Sequence, residues 1–375
     1  MERAPVDDLR GKNAVRGENM AVVRQWRTAV AAAGDELLRH AIVKVPADSS
    51  GWIDSGIDVN AGESLTLLSS GSASLADGSG LSFGASTLLC HRLRPSGQVT
   101  KFAAAGTTFT AAAKGRLELV VNFPGAWVDR SGGLDAAWPR QAAVGTFHVA
   151  VLVWRGSVDD GLALFAAMDR SGLAIEERSR VRSPARLPKG WQPLWRVGPT
   201  DVYRESFTSP ESPCIACRCA GDGGIITYPV DVALDHSTRL GWSWRMIELP
   251  SKVNEDVTPT HDYLSIAVEF DNGLDLTYLW SAALPVGAFF RCPFPWWNER
   301  ETHQVIRRGE ADLGRWQEEE QPILADYERA IGGQPPLRIV GVWLIGVAIL
   351  QGGRGECEYR KITLKGETAT VFIGP

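Results

Sequence analysis

Apolar residues at helical spacing mark one long segment near the start of the chain. Residues 19–41, NMAVVRQWRTAVAAAGDELLRHA, carry apolar side chains three and four positions apart and are rich in alanine. This pattern is typical of an amphipathic helix, and Asn19 can cap its first turn. The sequence therefore predicts a helix within an N-terminal helical segment, residues 1–41.

From residue 42 onward, short runs of alternating apolar and polar residues are separated by Gly, Ser, Asn and Asp. Such alternation is typical of β-strands. It predicts strands at 57–59, 65–68, 117–121, 146–153, 241–249, 263–270, 275–282, 336–349 and 357–364. We therefore expect a mainly all-β protein, in which two β-sandwich or jelly-roll domains in tandem accompany the N-terminal helix and a few short helices.

Two interruptions set the expected domain boundaries. Residues 158–172 return to helical spacing, and residues 178–200 are basic, contain proline and have no clean period. A surface helix is also expected near the end of residues 309–333, closed by Gly332. The expected domains are the helical segment 1–41, a β-sandwich at 42–156, a helix and linker at 157–199, and a jelly-roll domain at 200–375.

The charge and hydropathy of the chain argue against nucleic acid and membranes as partners. The net charge is -5, and no run of basic residues offers the clustered Lys and Arg that nucleic acid requires. The longest apolar run, residues 339–350, is too short to cross a bilayer, and the first residues lack the apolar core of a secretory signal. We expect a cytoplasmic protein without nucleic-acid or membrane partners.

Three of the six cysteines lie together in CIACRC, residues 214–219. The CxxC spacing can chelate zinc, but a closed site needs a fourth ligand from afar, such as His236 or Cys292. The favoured interpretation is reduced thiols on a strand, because a period of two places Cys217 and Cys219 on one face. We therefore expect no metal and no cofactor.

The segments GWIDSGIDVNAGESLTLLSSG and GTTFTAAAKGRLELVVNFPGAWVDRSGG, within residues 42–155, resemble the galactophilic bacterial lectin family. The resemblance implies a small β-sandwich that binds galactosides through calcium, held by an Asp beside the Asn of the Pro-Gly loop, a loop carbonyl and two consecutive Asn. Here no Asp stands beside Asn122, and Asp129 and Arg130 occupy the positions of the two Asn. A guanidinium repels Ca²⁺ and offers it no oxygen, so we expect no calcium.

The same loop leaves two interpretations of its polar residues. Arg130, beside Asp129 and Trp127, could clamp a carboxylate or phosphate. Alternatively, Arg130 is a surface residue and Trp127 packs as an anchor of the loop.

The second half carries LGWSWRMIELP, DYLSIAVEFDN, LTYLWSAALPVG, GRWQEEEQPILADYERAIGG and RIVGVWLIGVAI in that order. Residues 200–366 thereby resemble an uncharacterised bacterial domain family with a jelly roll like that of carbohydrate-binding modules. The resemblance implies a fold and no activity. Where relatives have acidic residues after the last long strand, this chain has LQGGRG.

Candidate catalytic residues in this half are His261, Asp262 and Glu269. A histidine and a carboxylate within reach of each other can act as a general acid–base pair. Neighbours on a strand point to opposite faces, however, so a turn-capping Asp262 and an exposed His261 form the alternative.

Tryptophan is unusually abundant, with 14 residues against six tyrosines. Trp296 and Trp297 lie in PFPWWNER, a segment bracketed by prolines that cannot form a central strand. One of the pair could stack on a ligand, with Trp280 beside it and Arg245 opposite the Trp242–Trp244 face. A loop packed onto the protein is the alternative.

These features favour a non-catalytic protein that binds a glycan or an extended peptide-like ligand through a tryptophan-rich surface between two β-sandwiches. The alternative is an accessory enzyme, a cyclase or hydrolase of bacterial secondary-metabolite or modified-peptide biosynthesis. A third class is an assembly protein, a homo- or hetero-oligomer whose tryptophan loop is the interface.

The substituted loop generates a first prediction. Because this loop lacks the expected oxygen ligands, adding Ca²⁺ to EDTA-treated protein should leave its melting temperature unchanged in differential scanning fluorimetry. A melting temperature that drops by several degrees in EDTA and is restored by Ca²⁺ would contradict it.

Overall fold

The structure is a computed structural model that describes residues 6–74, 80–95, 97–123, 126–209, 212–295, 297–367 and 369–374. The chain divides into two compact units, Met1–Pro184 and Ala185–Pro375. Each unit is built around two β-sheets, which follow from the alternating pattern of the sequence.

The first unit contains two four-stranded sheets, ordered β1-β8-β3-β6 and β2-β7-β4-β5, whose paired strands are antiparallel. Its elements are α1 Val6–Ala33, β1 Leu37–Pro46, β2 Ile53–Val59, β3 Ser64–Ser74, α2 Ala85–Leu88, β4 Leu89–Arg94, β5 Thr100–Lys101, β6 Gly106–Thr110, β7 Gly115–Val121, β8 Val144–Trp154, α3 Val158–Ala166 and α4 Leu173–Arg182.

The predicted N-terminal helix is present but ends earlier than expected. Trp26, Ala29 and Ala33 lie on its buried face, as the apolar spacing indicates. The helix α1 stops at Ala33, and Gly34 follows with a φ of 44°, a left-handed conformation that glycine adopts readily. The expectation of a helix through residue 41 is wrong, because residues from Leu37 onward pair with β8 as strand β1.

The helices cover one face of the β1-β8-β3-β6 sheet. Trp26 and Phe165 pack in one cluster with Leu68 and Leu152 of that sheet. The other face is turned toward the second sheet, since His91 of β4 stacks on Phe109 of β6 with ring centroids 4.7 Å apart. The first unit is therefore a sandwich with a helical layer on one side.

The second unit contains a six-stranded sheet, β10-β11-β20-β13-β18 with β21 beside β20, and a seven-stranded sheet, β16-β17-β15-β14-β19-β12-β9. Its elements are β9 Gln192–Pro193, β10 Tyr203–Ser209, β11 Ser212–Ala220, β12 Gly223–Ala233, β13 Arg239–Glu248, β14 Tyr263–Phe270, β15 Asp275–Ser281, β16 Phe289–Arg291, β17 Glu301–Arg308, β18 Gln317–Pro322, α5 Ile323–Ala330, β19 Arg338–Val347, β20 Arg354–Lys365 and β21 Thr370–Ile373.

Aromatic side chains fill the space between these two sheets. Trp242 stacks on Tyr278 of the opposite sheet at 5.6 Å, and Trp244 packs beside Trp280 at 5.7 Å. The indole N–H of Trp244 donates to Glu319. Alternation along the strands therefore leaves one face of each sheet in this core and turns the other face outward.

The cysteines of CIACRC lie in the core on strand β11. All six cysteines are buried and outside any disulfide, and the Sγ atoms of Cys217 and Cys219 are 3.7 Å apart. Both thiols point at Gly346 on the facing sheet, where a Cβ would lie 2.8 Å and 2.9 Å from them. Gly346 thus allows the close approach of the two sheets.

The prediction of a mainly β protein with tandem sandwiches, an N-terminal helix and a few short helices is confirmed. Among the described residues, no helix combines the length and apolar character needed to cross a bilayer. The cytoplasmic location stays a prediction.

The contact at Gly346 generates a second prediction. We expect Gly346→Ala to lower the free energy of unfolding by about 1–3 kcal/mol in urea titration, because the new methyl group overlaps two buried thiols. In a Cys217→Ala, Cys219→Ala background the same substitution should cost clearly less. An equal loss in both backgrounds would show that the thiols do not impose this constraint.

Candidate functional site

The outer face of the seven-stranded sheet is buried and polar. Many positions that alternate with the core residues of β14, β15 and β17 carry ionisable or hydroxyl side chains, although Ala267, Leu279 and Val305 on the same face are apolar. Buried members of this face are Tyr263, Asp275, Thr277, Glu301 and His303. Buried ionisable groups of this kind cluster at functional sites more often than elsewhere, so this face is the candidate site.

Three carboxyl groups stand side by side across neighbouring strands. Glu269 is in register with Asp275, which in turn is in register with Glu301 on the parallel strand β17. Burial raises the pKa of each above its ordinary value, and the carboxyl of Glu301 raises the pKa of Asp275 further. The row therefore resists full ionisation, because its members lack the hydration that a charged carboxylate needs.

Beside this row lies a group that we call the histidine cluster: His261, Cys292, Glu301 and His303. The Nε2 atom of His303 is 3.3 Å from Oε1 of Glu301, and Nε2 of His261 is 3.5 Å from the Cys292 sulfur. The two imidazole rings meet edge to face at 4.9 Å. Ligand atoms of His261, Glu301 and His303 all lie within 4.8 Å of one another, as metal ligands do.

Burial sets the protonation of the cluster. It lowers the pKa of His261 to about 4, against the opposing effect of the Glu255 carbonyl, and it lowers the pKa of His303 well below its usual range. Burial also raises the pKa of the Cys292 thiol. Both imidazoles are therefore neutral near pH 7, with nitrogen lone pairs free to accept a proton or a metal ion.

Hydrogen bonds hold the cluster in place. The Nδ1–H of His261 donates to the backbone carbonyl of Glu255, which leaves the lone pair on Nε2. Oε1 of Glu301 accepts from the Tyr263 hydroxyl at 2.9 Å and from the Thr277 hydroxyl at 3.1 Å. Neither ring nitrogen of His303 makes a hydrogen bond of standard geometry.

A second feature of the same face is a polar niche over Gly341, which we call the Gly341 niche. A Cβ at Gly341 would lie 3.2 Å from Oε2 of Glu269, 3.2 Å from Nε1 of Trp343 and 3.3 Å from Oγ1 of Thr227. The indole N–H of Trp343 is buried and lowers the pKa of the Glu269 carboxyl, which burial raises, although its contact is not a hydrogen bond of standard geometry. An acceptor, a donor and a hydroxyl thus lie close together around Gly341, where a larger side chain would crowd all three.

Arg300 and Trp297 flank this niche. A guanidinium nitrogen of Arg300 is 3.9 Å from Oε1 of Glu269, and the guanidinium lies 5.2 Å from the centre of the Trp297 ring. Trp297 in turn meets Trp343 edge to face at 6.5 Å. The side chains of Glu269 and Arg300 are 26% and 25% exposed, so solvent reaches both of these residues at the niche.

The sequence-predicted catalytic residues separate in the structure. Glu269 belongs to the Gly341 niche and His261 to the histidine cluster, where it is buried instead of exposed. Asp262 accepts backbone N–H groups of Leu350 and Gln351, whereas the ring of His261 contacts Glu255 and Cys292. The side chains of these two neighbours therefore have different partners, and both residues precede strand β14, which begins at Tyr263.

The predicted ligand-binding residues of the second half also occupy different places. Trp297 is 6% exposed and lies beside the Gly341 niche, while Trp296 lies outside the described residues. Trp280 is 1% exposed in the core. Arg245, on the outer face of the six-stranded sheet, pairs with Glu358 and lies 5.2 Å from the ring of Trp316. A ligand-binding role for these residues stays a prediction.

In the first unit, the lectin-like loop is held by its own contacts. Trp127 is buried and stacks on Trp52 at 5.9 Å. Asp129 accepts from the hydroxyl and amide of Ser131, and these bonds lower its pKa. Arg130 is exposed and its carbonyl accepts from Val99. The role of this loop in binding stays a prediction too.

Sequence reasoning missed Glu301, His303, Gly341 and Trp343, and it named Cys292 only as a possible distant ligand for a zinc site at CIACRC. A signal existed for the first two: ETHQV places Glu301 and His303 two positions apart, on one face of a strand. The others become neighbours only through strand pairing.

Comparison with known proteins gives a family for part of the chain. Residues 190–363 match the model of a family described as a protein of unknown function, DUF3047. No curated protein matches the sequence significantly.

Solved structures with related folds include several carbohydrate-active proteins. The N-terminal domain of EclA, a PllA-like lectin, is 18% identical; the match covers 32% of this chain and 99% of that one, with a TM-score of 0.25. The xyloglucanase domain of NopAA from Sinorhizobium fredii is 7% identical, covering 44% and 86%, with a TM-score of 0.28. A family 30 carbohydrate-binding module of a Clostridium thermocellum cellulase is 11% identical, covering 45% and 84%, with a TM-score of 0.25. Identities and TM-scores this low carry no information about the ligand or activity of this chain.

The contacts of Asp262 generate a third prediction. Each carboxylate oxygen accepts one backbone N–H, so Asp262→Asn would turn an amide N–H₂ toward a backbone donor. We expect the free energy of unfolding to fall by about 1–3 kcal/mol in urea titration. The control is Asp256→Asn, a partly exposed position in the same loop. Equal stability of the two variants would mean that these bonds do not hold the loop.

Proposed function

We propose that the second unit is a carbohydrate-binding module whose ligand site is the Gly341 niche on the outer face of the seven-stranded sheet. The observation that carries the proposal is the grouping of three side-chain polar atoms, Glu269 Oε2, Trp343 Nε1 and Thr227 Oγ1, around Gly341 on one face of the sheet. A sugar hydroxyl is both donor and acceptor, so it can donate to the carboxylate while it accepts from the indole N–H.

The chemistry around the niche suits a neutral, hydroxyl-rich ligand. Arg300 partly offsets the charge of Glu269, since it lies 3.9 Å away and lowers a pKa that burial raises. A carboxylate and a guanidinium side by side offer several acceptors and donors to vicinal hydroxyls. The indoles of Trp297 and Trp343 form an apolar boundary, against which the C–H face of a sugar can pack.

Binding rather than catalysis fits the arrangement of ionisable groups. Catalysis of glycoside hydrolysis usually needs two carboxyl groups that both reach the substrate. Here Glu269 is partly exposed, while its neighbour Asp275 is fully buried. A single accessible carboxyl supports recognition, whereas the perturbed pKa values of Glu269 and His261 are the observations that favour the enzyme alternative.

The test is a binding screen of the full chain against soluble β-glucans, xylans, xyloglucan and galactans, with extended peptides as a parallel set. We expect a rise in melting temperature with at least one polysaccharide, followed by calorimetric measurement of its Kd. Binding to peptides alone, or to neither set, would overturn the proposal.

Variants then place the ligand, as a fourth prediction. Gly341→Ala places a methyl group against the polar atoms of the niche, and Glu269→Gln removes the charged acceptor. Trp343→Phe keeps an aromatic ring but removes the N–H. Each should weaken binding roughly tenfold to a hundredfold, the effect of a lost hydrogen bond to a charged or buried group. The matched control is Gly84→Ala, whose new methyl meets no atom within 4 Å. Folded niche variants that bind like the wild type would rule out this site.

A further inference from the structure

We propose that the histidine cluster binds a borderline divalent transition-metal ion such as Zn²⁺ or Co²⁺. His261, Glu301 and His303 are the first three ligands, and the thiolate of Cys292 completes the set. This goes beyond the carbohydrate site and departs from the expectation that the protein needs no metal.

The distances suit such an ion. Tetrahedral ligands bonded to Zn²⁺ at about 2.0–2.3 Å lie about 3.3–3.6 Å from one another. The separation of His303 Nε2 from Glu301 Oε1 is 3.3 Å, and that of His261 Nε2 from the Cys292 sulfur is 3.5 Å. One ligand atom from each of His261, Glu301 and His303 lies within 4.8 Å of the other two. The Cys292 sulfur contacts His261 but lies outside this group of three, so side-chain rotation would have to bring it to the ion.

The groups around the cluster orient its ligands as they would in a metal site. A metal-bound histidine typically donates its other ring N–H to a carbonyl or carboxylate, which fixes the tautomer. His261 does this through Nδ1 and the Glu255 carbonyl. Ligating carboxylates are likewise hydrogen-bonded, and Glu301 accepts from Tyr263 and Thr277.

His303 supplies an independent observation. Its side chain is 0% exposed, and neither ring nitrogen makes a hydrogen bond of standard geometry. Its polar neighbours are Glu301 Oε1 at 3.3 Å and the Phe290 backbone, and neither replaces the full hydration that a buried imidazole has lost. A cation between His303 and Glu301 would give that nitrogen a partner.

Donor type decides the class of ion. Imidazole nitrogen and thiolate sulfur favour zinc and its neighbours, whereas Ca²⁺ and Mg²⁺ require mostly oxygen. The charge also fits, since buried Glu301 and Asp275 lie side by side. A divalent cation offsets negative charge that burial makes costly.

The fifth prediction is metal uptake by the intact protein. The full chain is produced in medium containing Zn²⁺ or Co²⁺, purified without chelator and analysed for bound metal. We expect close to one ion per chain. The cobalt form should show the visible absorption of tetrahedral Co²⁺ together with a near-ultraviolet thiolate-to-cobalt band. Excess Zn²⁺ should abolish both, and excess Ca²⁺ should leave them unchanged.

Substitutions assign the ligands. His261→Gln and His303→Gln should abolish the visible bands, while His236→Gln, an exposed histidine of the same unit, should leave them intact. Cys292→Ser is close in size to the wild type. It should lose the near-ultraviolet band but keep the visible ones, which assigns the site even if a histidine variant fails to fold.

Two outcomes would overturn the inference. One is wild-type protein that carries no zinc or cobalt after growth in either metal. The other is cobalt absorption that survives His303→Gln in folded protein and disappears in Cys217→Ser, which would place the ion at CIACRC. Neither outcome depends on carbohydrate binding, so this test and the binding screen can fail separately.

Discussion

The burial of ionisable side chains on the outer face of the seven-stranded sheet is the constraint on which the second unit depends. A sheet of a β-sandwich usually packs one face on the core and leaves the other to solvent. Here the outer face is also buried, yet it carries Asp275, Glu301 and His303. Replacing such groups by apolar residues of similar volume is often neutral or stabilising, so their presence is poorly explained by stability alone. A functional role is the more economical explanation.

The same strands carry core-packing residues on one face and ionisable or polar residues on the other. On β15, Tyr278 and Trp280 enter the core between the sheets, whereas Asp275 and Thr277 turn outward. Several tryptophans serve the first purpose: Trp242, Trp244 and Trp280 are all buried in that core. Large aromatic side chains fill a wide gap between two sheets, and they fix the strands that present the polar face.

The sequence predicted the strands better than the site, for a physical reason. Residues 263–270 and 275–282 alternate clearly, and β14 and β15 occupy almost the same bounds. The composition of residues 37–41 is equally compatible with a helix. They form a strand because they pair with β8. The helix α4 lacks an apolar period, and Arg178 and Arg182 tie it to Asp159 of α3. Tertiary contacts of this kind are absent from any local pattern.

The site itself depends on pairing over longer distances. Glu269 and His261 stood out because each lies on or beside an evident strand. Glu301 joins them only because β17 runs parallel to β15, after a connection that no local pattern specifies. The sequence likewise gives no sign that Gly341 matters, because its role depends on the side chains that the fold brings close to it.

Solvent exposure falls along the polar face, from the Gly341 niche to the histidine cluster. This difference in exposure separates the proposed carbohydrate site from the proposed metal site. Glu269 and Arg300 are about a quarter exposed, so a ligand can reach them without rearrangement of the sheet. The imidazoles of His261 and His303 are fully buried, and four protein ligands would leave an ion no open position for substrate. A metal so enclosed is structural rather than catalytic. By holding β17 and the segment of Cys292 against the sheet, such an ion would fix Arg300, which lies between them in the chain and borders the Gly341 niche. The ion at the histidine cluster would then hold the side chains of the Gly341 niche in the positions that binding requires.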